Sequence, residues 1–236
     1  MPELASRLVS GRRFLLALVL WAGLSGAALG ATVLGARGPG RAWAATHRAD
    51  LVAIALAEAY LALLVALLVA FGGPRGLRDR LAFRFTSLRD LILALLTWVA
   101  CLILGGLLTD VLAPILGPPR SNAEPILRLS FDSLFVGLVV PTICLLAPVG
   151  EELLFRGALF GWLRRRLPAL LVIPVTGAVF AGAHLVPSLL PVLFVFGLGA
   201  AWVRERTGST FNSFAMHATQ NTVAVLATYA LLSHRG

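Results

Sequence analysis

The sequence predicts an all-α polytopic membrane protein with about seven transmembrane helices. Hydrophobic residues make up 58% of the 236 residues, charged residues make up only 13%, and the mean hydropathy is +0.89. Soluble globular chains carry roughly 25% charged residues. The long apolar runs approach the ~20 residues that a helix needs to cross a bilayer. These observations exclude a soluble enzyme, a secreted disulfide scaffold and a disordered tail.

Seven apolar runs are candidate spans, and each must be helical because unpaired backbone groups cannot face lipid. There is no internal repeat and no linker long enough to separate a soluble domain, so we expect residues 1–236 to form a single membrane domain. The run 189–203 is shorter than the ~17-residue minimum for a span, and it would be tilted, re-entrant or extended through Pro187. The seven runs are 14–34, 51–73, 91–112, 133–163, 169–187, 189–203 and 211–233.

Arginine supplies all the basic charge behind the net charge of +9, since the chain has no lysine. The arginines occur singly or in short clusters between apolar runs, which is typical of topology signals and of contacts with anionic lipids. There is no basic face or RNA-binding motif, so we expect membrane lipids and no nucleic acid as partners. A cytoplasmic N-terminus places most of these arginines inside. The Ala- and Arg-rich composition favours the cytoplasmic membrane of a prokaryote.

The first apolar run ends in small residues at 26–31 that are similar to a signal-peptide cleavage region. It continues through Val33 and Leu34 and exceeds the usual ~7–15-residue h-region, so we expect an uncleaved first span. Cys101 and Cys144 lie inside apolar runs, where a thiol packs as a small hydrophobe. We therefore expect no disulfide.

Ionisable residues at membrane depth indicate a functional site, because each costs on the order of 3 kcal/mol to insert. Glu152 and Arg156 are four residues apart on a helix, with the acid first, which favours an ion pair. Glu151 lies ~100° around the same helix and has no local cation. The Glu151 carboxylate must therefore be protonated, hydrated, bound to a metal or bonded to a histidine from elsewhere.

Four other polar residues have simpler interpretations. Glu58 is expected to face the bundle interior and to bond to a neighbouring helix, since a lone carboxylate in a span needs a partner. Asp110 is close to a span end and is expected to be solvated. His47 and His234 lie at or beyond span boundaries, so we interpret them as surface residues.

His184 and His217 lie on other helices at depths similar to that of Glu151, so the three side chains could meet in one cavity. Asn221 follows His217 by one helical turn and shares its face. A buried glutamate steered by an imidazole can take a proton from water, while a histidine and an amide donate to a tetrahedral oxyanion. The same Glu and His groups could instead bind zinc. The HExxH zinc-protease motif is absent.

Three motifs in order resemble those of the CAAX prenyl protease and bacteriocin-processing (CPBP) family of intramembrane endopeptidases, which includes the type II CAAX proteases. Residues 151–157 match EExxxR, residues 180–184 match FxxxH and residues 217–221 match HxxxN. The resemblance covers a core at 131–225, whereas the predicted helices of 14–112 carry no matching motif.

The resemblance implies a helical core around an intramembrane catalytic cavity. It implies that Glu151 and His184 activate water, and that His217 and Asn221 form the oxyanion hole. The cofactor stays open between none and zinc held by Glu151, His184 and His217. The residues expected to support the site are Glu152, Arg156 and Phe180.

The expected activity is hydrolysis of a peptide bond in a membrane-associated or lipid-modified peptide or protein. The alternative is a non-catalytic scaffold of the same fold, serving bacteriocin self-immunity or regulation. A proton-coupled transporter would also explain buried carboxylates and histidines, but the small number of spans and the lack of repeats disfavour it.

Overall fold

The computed structural model describes residues 9–118, 124–127, 129–130 and 132–233. All regular secondary structure in these residues is helical, which confirms the all-α class. The helices, in chain order, are α1 (Gly11–Arg37), α2 (Arg41–Thr46), α3 (Arg48–Phe71), α4 (Gly73–Asp79), α5 (Leu88–Leu116), α6 (Glu124–Leu127), α7 (Ser133–Leu163), α8 (Ala169–Ala183), a 3₁₀ turn (Pro187–Leu189), α9 (Leu190–Thr207) and α10 (Thr210–Ser233).

Five segments in the described part of the chain are long and apolar enough to cross a membrane. They are α1, α3, α5, α7 and the continuous stretch Pro187–Thr207. The protein is therefore an integral, polytopic membrane protein. The stretch Pro187–Thr207 has 21 residues, so the run expected to be too short is extended through Pro187.

The other two predicted spans, α8 and α10, are helices that are not both long enough and apolar enough to qualify. Helix α8 has 15 residues, fewer than the ~17 that a span needs. Helix α10 has 24 residues but carries His217, Gln220 and Asn221 near its middle, which lowers its apolar character. The prediction of about seven spans thus becomes five that qualify by length and composition, with two further helices in the same bundle.

Helix α7 is irregular on both sides of the two glutamates. Wide π-helical turns at Thr142–Leu146 and Leu153–Leu159 flank the α-helical segment Ala147–Glu152. Pro148 has no backbone N–H to offer the preceding turn, which explains why the normal hydrogen-bond pattern is interrupted there. Such wide turns are often found at functional sites because they change the direction of side chains and free backbone carbonyls.

Capping residues, polar at the helix starts and glycine at one helix end, define where several helices begin and end. The side chain of Ser87 accepts a hydrogen bond from the Asp90 backbone N–H at the start of α5. The Asp132 carboxylate caps α7 by accepting from the Phe135 N–H at 2.8 Å, and this bond holds the pKa of the Asp132 carboxyl below its ordinary value. Helix α3 ends at Gly72, whose φ of +87° lies in the left-handed region that favours glycine.

The loop between α4 and α5 holds the start of α10 in place. The Thr210 hydroxyl donates to the Leu81 carbonyl at 2.6 Å, and the Thr210 N–H donates to the Ala82 carbonyl at 2.9 Å. Two residues later, the Asn212 amide donates to the Thr86 hydroxyl at 2.8 Å. Because these bonds are buried or partly buried, they fix the position of α10 and of the site residues that it carries.

Minor predictions can be compared with the structure. The Thr32 hydroxyl of α1 donates to both Glu58 oxygens at 2.8 and 2.9 Å, which confirms that Glu58 bonds to a neighbouring helix. Asp110 and His47 are exposed, as expected. His234 lies outside the described residues. The thiols that the sequence analysis singled out are buried and free: Cys101 and Cys144.

Helices α8 and α9 approach each other at a pair of glycines. A Cβ atom on Gly197 would lie 2.8 Å from the Gly177 Cα and 2.9 Å from its carbonyl oxygen. Backbone atoms cannot move aside as a flexible side chain can. Small residues are what permits such close helix packing in membranes.

We predict that Gly197→Ala destabilises the protein by roughly 1–3 kcal/mol, because the added methyl group overpacks this crossing. The matched control is Gly106→Ala, since a Cβ there would have no neighbour within 4 Å. The measurement is the midpoint of thermal unfolding in detergent. Equal midpoints for the two variants would contradict the close packing of α8 and α9.

Candidate active site

A cavity of about 650 Å³ lies within the helix bundle. Its wall is mostly apolar and is built from α1, α3, α5, α6, α7, α8, α9 and α10. All four residues predicted to be catalytic line it, although their roles stay predictions. The polar side chains that line the cavity are Tyr60, Glu151, His184, His217, Gln220 and Asn221.

The predicted ion pair is present at the base of this site. Arg156 Nη1 lies 2.9 Å from Glu152 Oε1, and both side chains are 0% exposed. The same guanidinium donates from Nη2 to the Gly197 carbonyl at 3.3 Å. It also lies 4.3 Å above the Phe180 ring. A buried charge is tolerated only when it is paired and hydrogen-bonded. These contacts pair both Nη atoms of Arg156, whereas its Nε is buried with no hydrogen-bond partner among the described residues.

His217 is oriented by Glu152 rather than by Glu151. Its Nδ1 lies 3.0 Å from Glu152 Oε1, which also accepts from Arg156. An ionised carboxylate only accepts hydrogen bonds, so Nδ1 carries the proton and donates. The other ring nitrogen, Nε2, is 3.9 Å from Glu151 Oε2. Neutral His217 therefore presents a lone pair towards Glu151, and cationic His217 presents an N–H.

Glu151 is held by Tyr60, which the sequence analysis missed. The Tyr60 hydroxyl donates to Glu151 Oε1 at 2.7 Å, from helix α3. Glu151 Oε2 is buried and has no hydrogen-bond partner among the described residues. The sequence contained one signal for this contact, since a tyrosine in mid-span needs a partner for its hydroxyl. The partner is found 91 residues along the chain.

His184 follows the end of α8 and lines the cavity beside Phe180. Its Nδ1 lies 2.9 Å from the Phe180 carbonyl oxygen. A carbonyl only accepts, so Nδ1 is the donor and Nε2 keeps a lone pair in the neutral ring. The Phe180 ring packs edge-on against the rings of both His184 and His217, at centroid distances of 4.8 and 5.6 Å. Phe180 thus separates and positions the two imidazoles.

The amide side chains of α10 have fixed partners. Asn221 Nδ2 donates to the Ile143 carbonyl at 2.8 Å, in the first wide turn of α7. The Trp98 indole donates to Gln220 Oε1 at 2.7 Å, from helix α5. The HxxxN spacing predicted Asn221 at the site but gave no reason to single out Gln220 or Trp98.

The zinc site that the sequence left open would require Glu151, His184 and His217 to converge on one ion. Among the described residues, no group of three His, Cys, Asp or Glu side chains is placed to hold a metal ion. Glu151, His184 and His217 all line the cavity, and the Nδ1 atoms of both histidines are hydrogen-bonded to other groups. Nε2 is therefore the ring nitrogen that each histidine has available for a ligand.

We predict that Arg156→Met destabilises the protein by roughly 3–5 kcal/mol, because it leaves the Glu152 carboxylate unpaired in the interior. The control is Arg164→Met, whose ion pair with Glu205 is partly exposed and contributes at most ~1 kcal/mol. The measurement is the thermal midpoint in detergent. The double variant Glu152→Gln/Arg156→Met should recover part of the loss, and no recovery would contradict a stranded charge as the cause.

Comparison with known proteins gives a family match for the motif-bearing helices. Residues 133–223 match the family model of the Type II CAAX prenyl endopeptidase Rce1-like proteins. The match includes Glu151, His184, His217 and Asn221. No curated protein and no solved structure matches the chain. Residues 133–223, called the Rce1-like region from here on, are therefore similar to the Type II CAAX prenyl endopeptidases.

Proposed function

We propose that this protein is an intramembrane endopeptidase in which Glu151 activates water to hydrolyse a peptide bond. The observation that carries the proposal is Glu151 Oε2, a buried carboxylate oxygen that has no hydrogen-bond partner among the described residues and borders the cavity. An unpaired buried oxygen is costly unless the working site fills it with a water or a substrate group. Its partner oxygen is already used by Tyr60.

The charges of the site favour one active protonation state. Glu151 and Glu152 carry two negative charges, and Arg156 supplies one positive charge beside them. A proton on His217 makes the group neutral and leaves Glu151 ionised as a base. This proton lies on Nε2, because Nδ1 already donates to Glu152. Cationic His217 can then donate from Nε2 to a developing oxyanion, as in other acyl-transfer sites.

Hydrolysis then follows a short sequence of proton transfers. Glu151 Oε2 takes a proton from a water whose oxygen attacks the carbonyl carbon of the substrate. The second O–H of the water stays intact and can donate a hydrogen bond to the free Nε2 of neutral His184. His217 donates to the oxyanion together with the second N–H of Asn221. The C–N bond breaks, and Glu151 passes its proton to the amine leaving group.

The substrate class follows from the wall of the cavity and from the membrane setting. Most of the wall is apolar, and the polar groups lie together on α3, α7, α8 and α10. Such a cavity suits a membrane-associated or lipid-modified peptide, whose apolar part binds the wall while a peptide bond reaches Glu151. The arginine distribution supports a cytoplasmic N-terminus in a prokaryotic cytoplasmic membrane, with membrane lipids as partners.

We predict that Glu151→Gln lowers cleavage about 10²–10⁴-fold while leaving the membrane yield close to that of the wild type. The amide can still accept from Tyr60 but cannot take a proton from water. Peptide termini in membranes of cells that carry either protein are compared by mass spectrometry, with no substrate assumed. Termini found only with the wild type would establish proteolysis and identify candidate substrates.

The control for this experiment is Glu58→Gln. Glu58 is also a glutamate within a membrane helix, but it bonds to Thr32 and does not line the cavity. Its variant should give the wild-type set of termini. If the wild type and Glu151→Gln give the same termini while both are present in the membrane, the peptidase proposal fails and the immunity or regulatory scaffold takes its place.

We predict that Tyr60→Phe lowers kcat about tenfold, because the bond to Oε1 that directs Oε2 into the site is lost. The rate is measured on a peptide that spans a terminus found only with the active protein. Tyr229→Phe is the control, since Tyr229 is the other tyrosine of the chain and does not line the cavity. An unchanged kcat in Tyr60→Phe would rule out this positioning role.

A further inference from the structure

We infer that Gln220 binds the substrate by donating a hydrogen bond to one of its main-chain carbonyl oxygens, and that Trp98 holds Gln220 in the orientation this requires. The inference deepens the proposed function and rests on it. Gln220 occupies an unspecified position within HxxxN, and Trp98 lies outside both the motifs and the Rce1-like region.

The orientation of the Gln220 amide is determined by its partner. An amide oxygen and nitrogen are hard to tell apart by shape alone, so the hydrogen-bond network must decide between them. The indole N–H of Trp98 can only donate, so the Gln220 atom at 2.7 Å must be the oxygen Oε1. The Nε2 group, with two N–H donors, therefore points away from Trp98.

The free donors of Gln220 belong to the face of α10 that borders the cavity. Gln220 is three residues after His217, so the two side chains share one side of the helix, and both line the cavity. Among the described residues, no acceptor is bonded to Gln220 Nε2. Gln220 is half-buried, and its Nε2 is not among the buried atoms that lack a partner, so this nitrogen is accessible. A ligand in the cavity that carries an acceptor can therefore bind it.

Each of the other polar donors discussed at the site already uses one N–H group. Asn221 Nδ2 donates to Ile143, His184 Nδ1 to Phe180, and His217 Nδ1 to Glu152. Gln220 is thus the amide at the cavity with both N–H groups open. A neutral amide donor matches a neutral carbonyl acceptor, which every residue of a peptide substrate carries. A hydrocarbon chain has no acceptor, so this contact selects for the peptide part of the substrate.

A purely structural interpretation makes a different prediction. If the Trp98–Gln220 bond served only to join α5 to α10, loss of either side chain would lower stability and leave the kinetics of the folded protein unchanged. If Gln220 binds substrate, the loss appears in kcat/KM. The two interpretations therefore predict different kcat/KM values for the folded variants. The value is unchanged if the bond is only structural, and it is lower if Gln220 binds substrate.

The test uses the full-length protein in detergent and a fluorogenic peptide that spans a terminus found only with the active wild type. Gln220→Met should lower kcat/KM about tenfold, because one neutral hydrogen bond to the substrate is lost. Trp98→Phe should lower it less, since the donors remain but are free to rotate. The double variant should be no slower than Gln220→Met, because Trp98 acts only through Gln220.

Gln220→Glu is a second variant that tests the inference if Gln220→Met fails to fold. A carboxylate still accepts from Trp98 but has no N–H to donate, so folding should be kept while kcat/KM falls. Wild-type kcat/KM in folded Gln220→Glu or Gln220→Met would overturn the inference and leave the peptidase proposal intact. If wild type and Glu151→Gln yield the same termini, no fluorogenic peptide can be chosen, and the inference fails together with the proposed function.

Discussion

The buried ion pair of Glu152 and Arg156 is the interaction on which the rest of the structure depends. Both side chains are 0% exposed, so each charge is compatible with the interior only while the other is present. Arg156 connects its own helix α7 to α8 through the Phe180 ring and to α9 through the Gly197 carbonyl. The Arg156 carbonyl in turn accepts from Arg204 of α9 at 3.2 Å. The close crossing of α8 and α9 at their glycines brings both contacts within reach of one guanidinium.

The same pair also determines the chemistry of the neighbouring residues. Glu152 Oε1 accepts from both Arg156 and His217, so the carboxylate that neutralises the arginine also fixes the imidazole ring. His217 is thereby turned with Nε2 towards Glu151 Oε2. The second glutamate of the motif is thus linked to the first through this ring. A change in the ion pair would therefore alter stability and the orientation of His217 together.

Sequence reasoning succeeded where the interacting residues are close together in the chain or belong to a known motif. The Glu152–Arg156 pair follows from helical spacing, and the motifs brought Glu151, His184, His217 and Asn221 to one cavity. It failed for Tyr60 and Gln220, because their partners lie 91 and 122 residues away and no local pattern encodes such pairings. Two of the seven predicted spans, α8 and α10, are helices of the bundle but are not among the five that qualify by length and composition. Helix α10 carries the polar site residues, which make it less apolar than a helix that faces lipid.

The helices without a family motif complete the geometry of the site. Tyr60 of α3 binds one oxygen of Glu151 and leaves the other towards His217, while Trp98 of α5 binds the oxygen of Gln220 and leaves its nitrogen open. In both cases a hydrogen bond donated from outside residues 133–223 determines which atom of a site residue remains available. The motifs supply the reactive groups, and the helices before them supply the orientation. Residues 133–223 alone would retain the ion pair and the histidines, but neither Glu151 nor Gln220 would have the partner that directs it into the cavity.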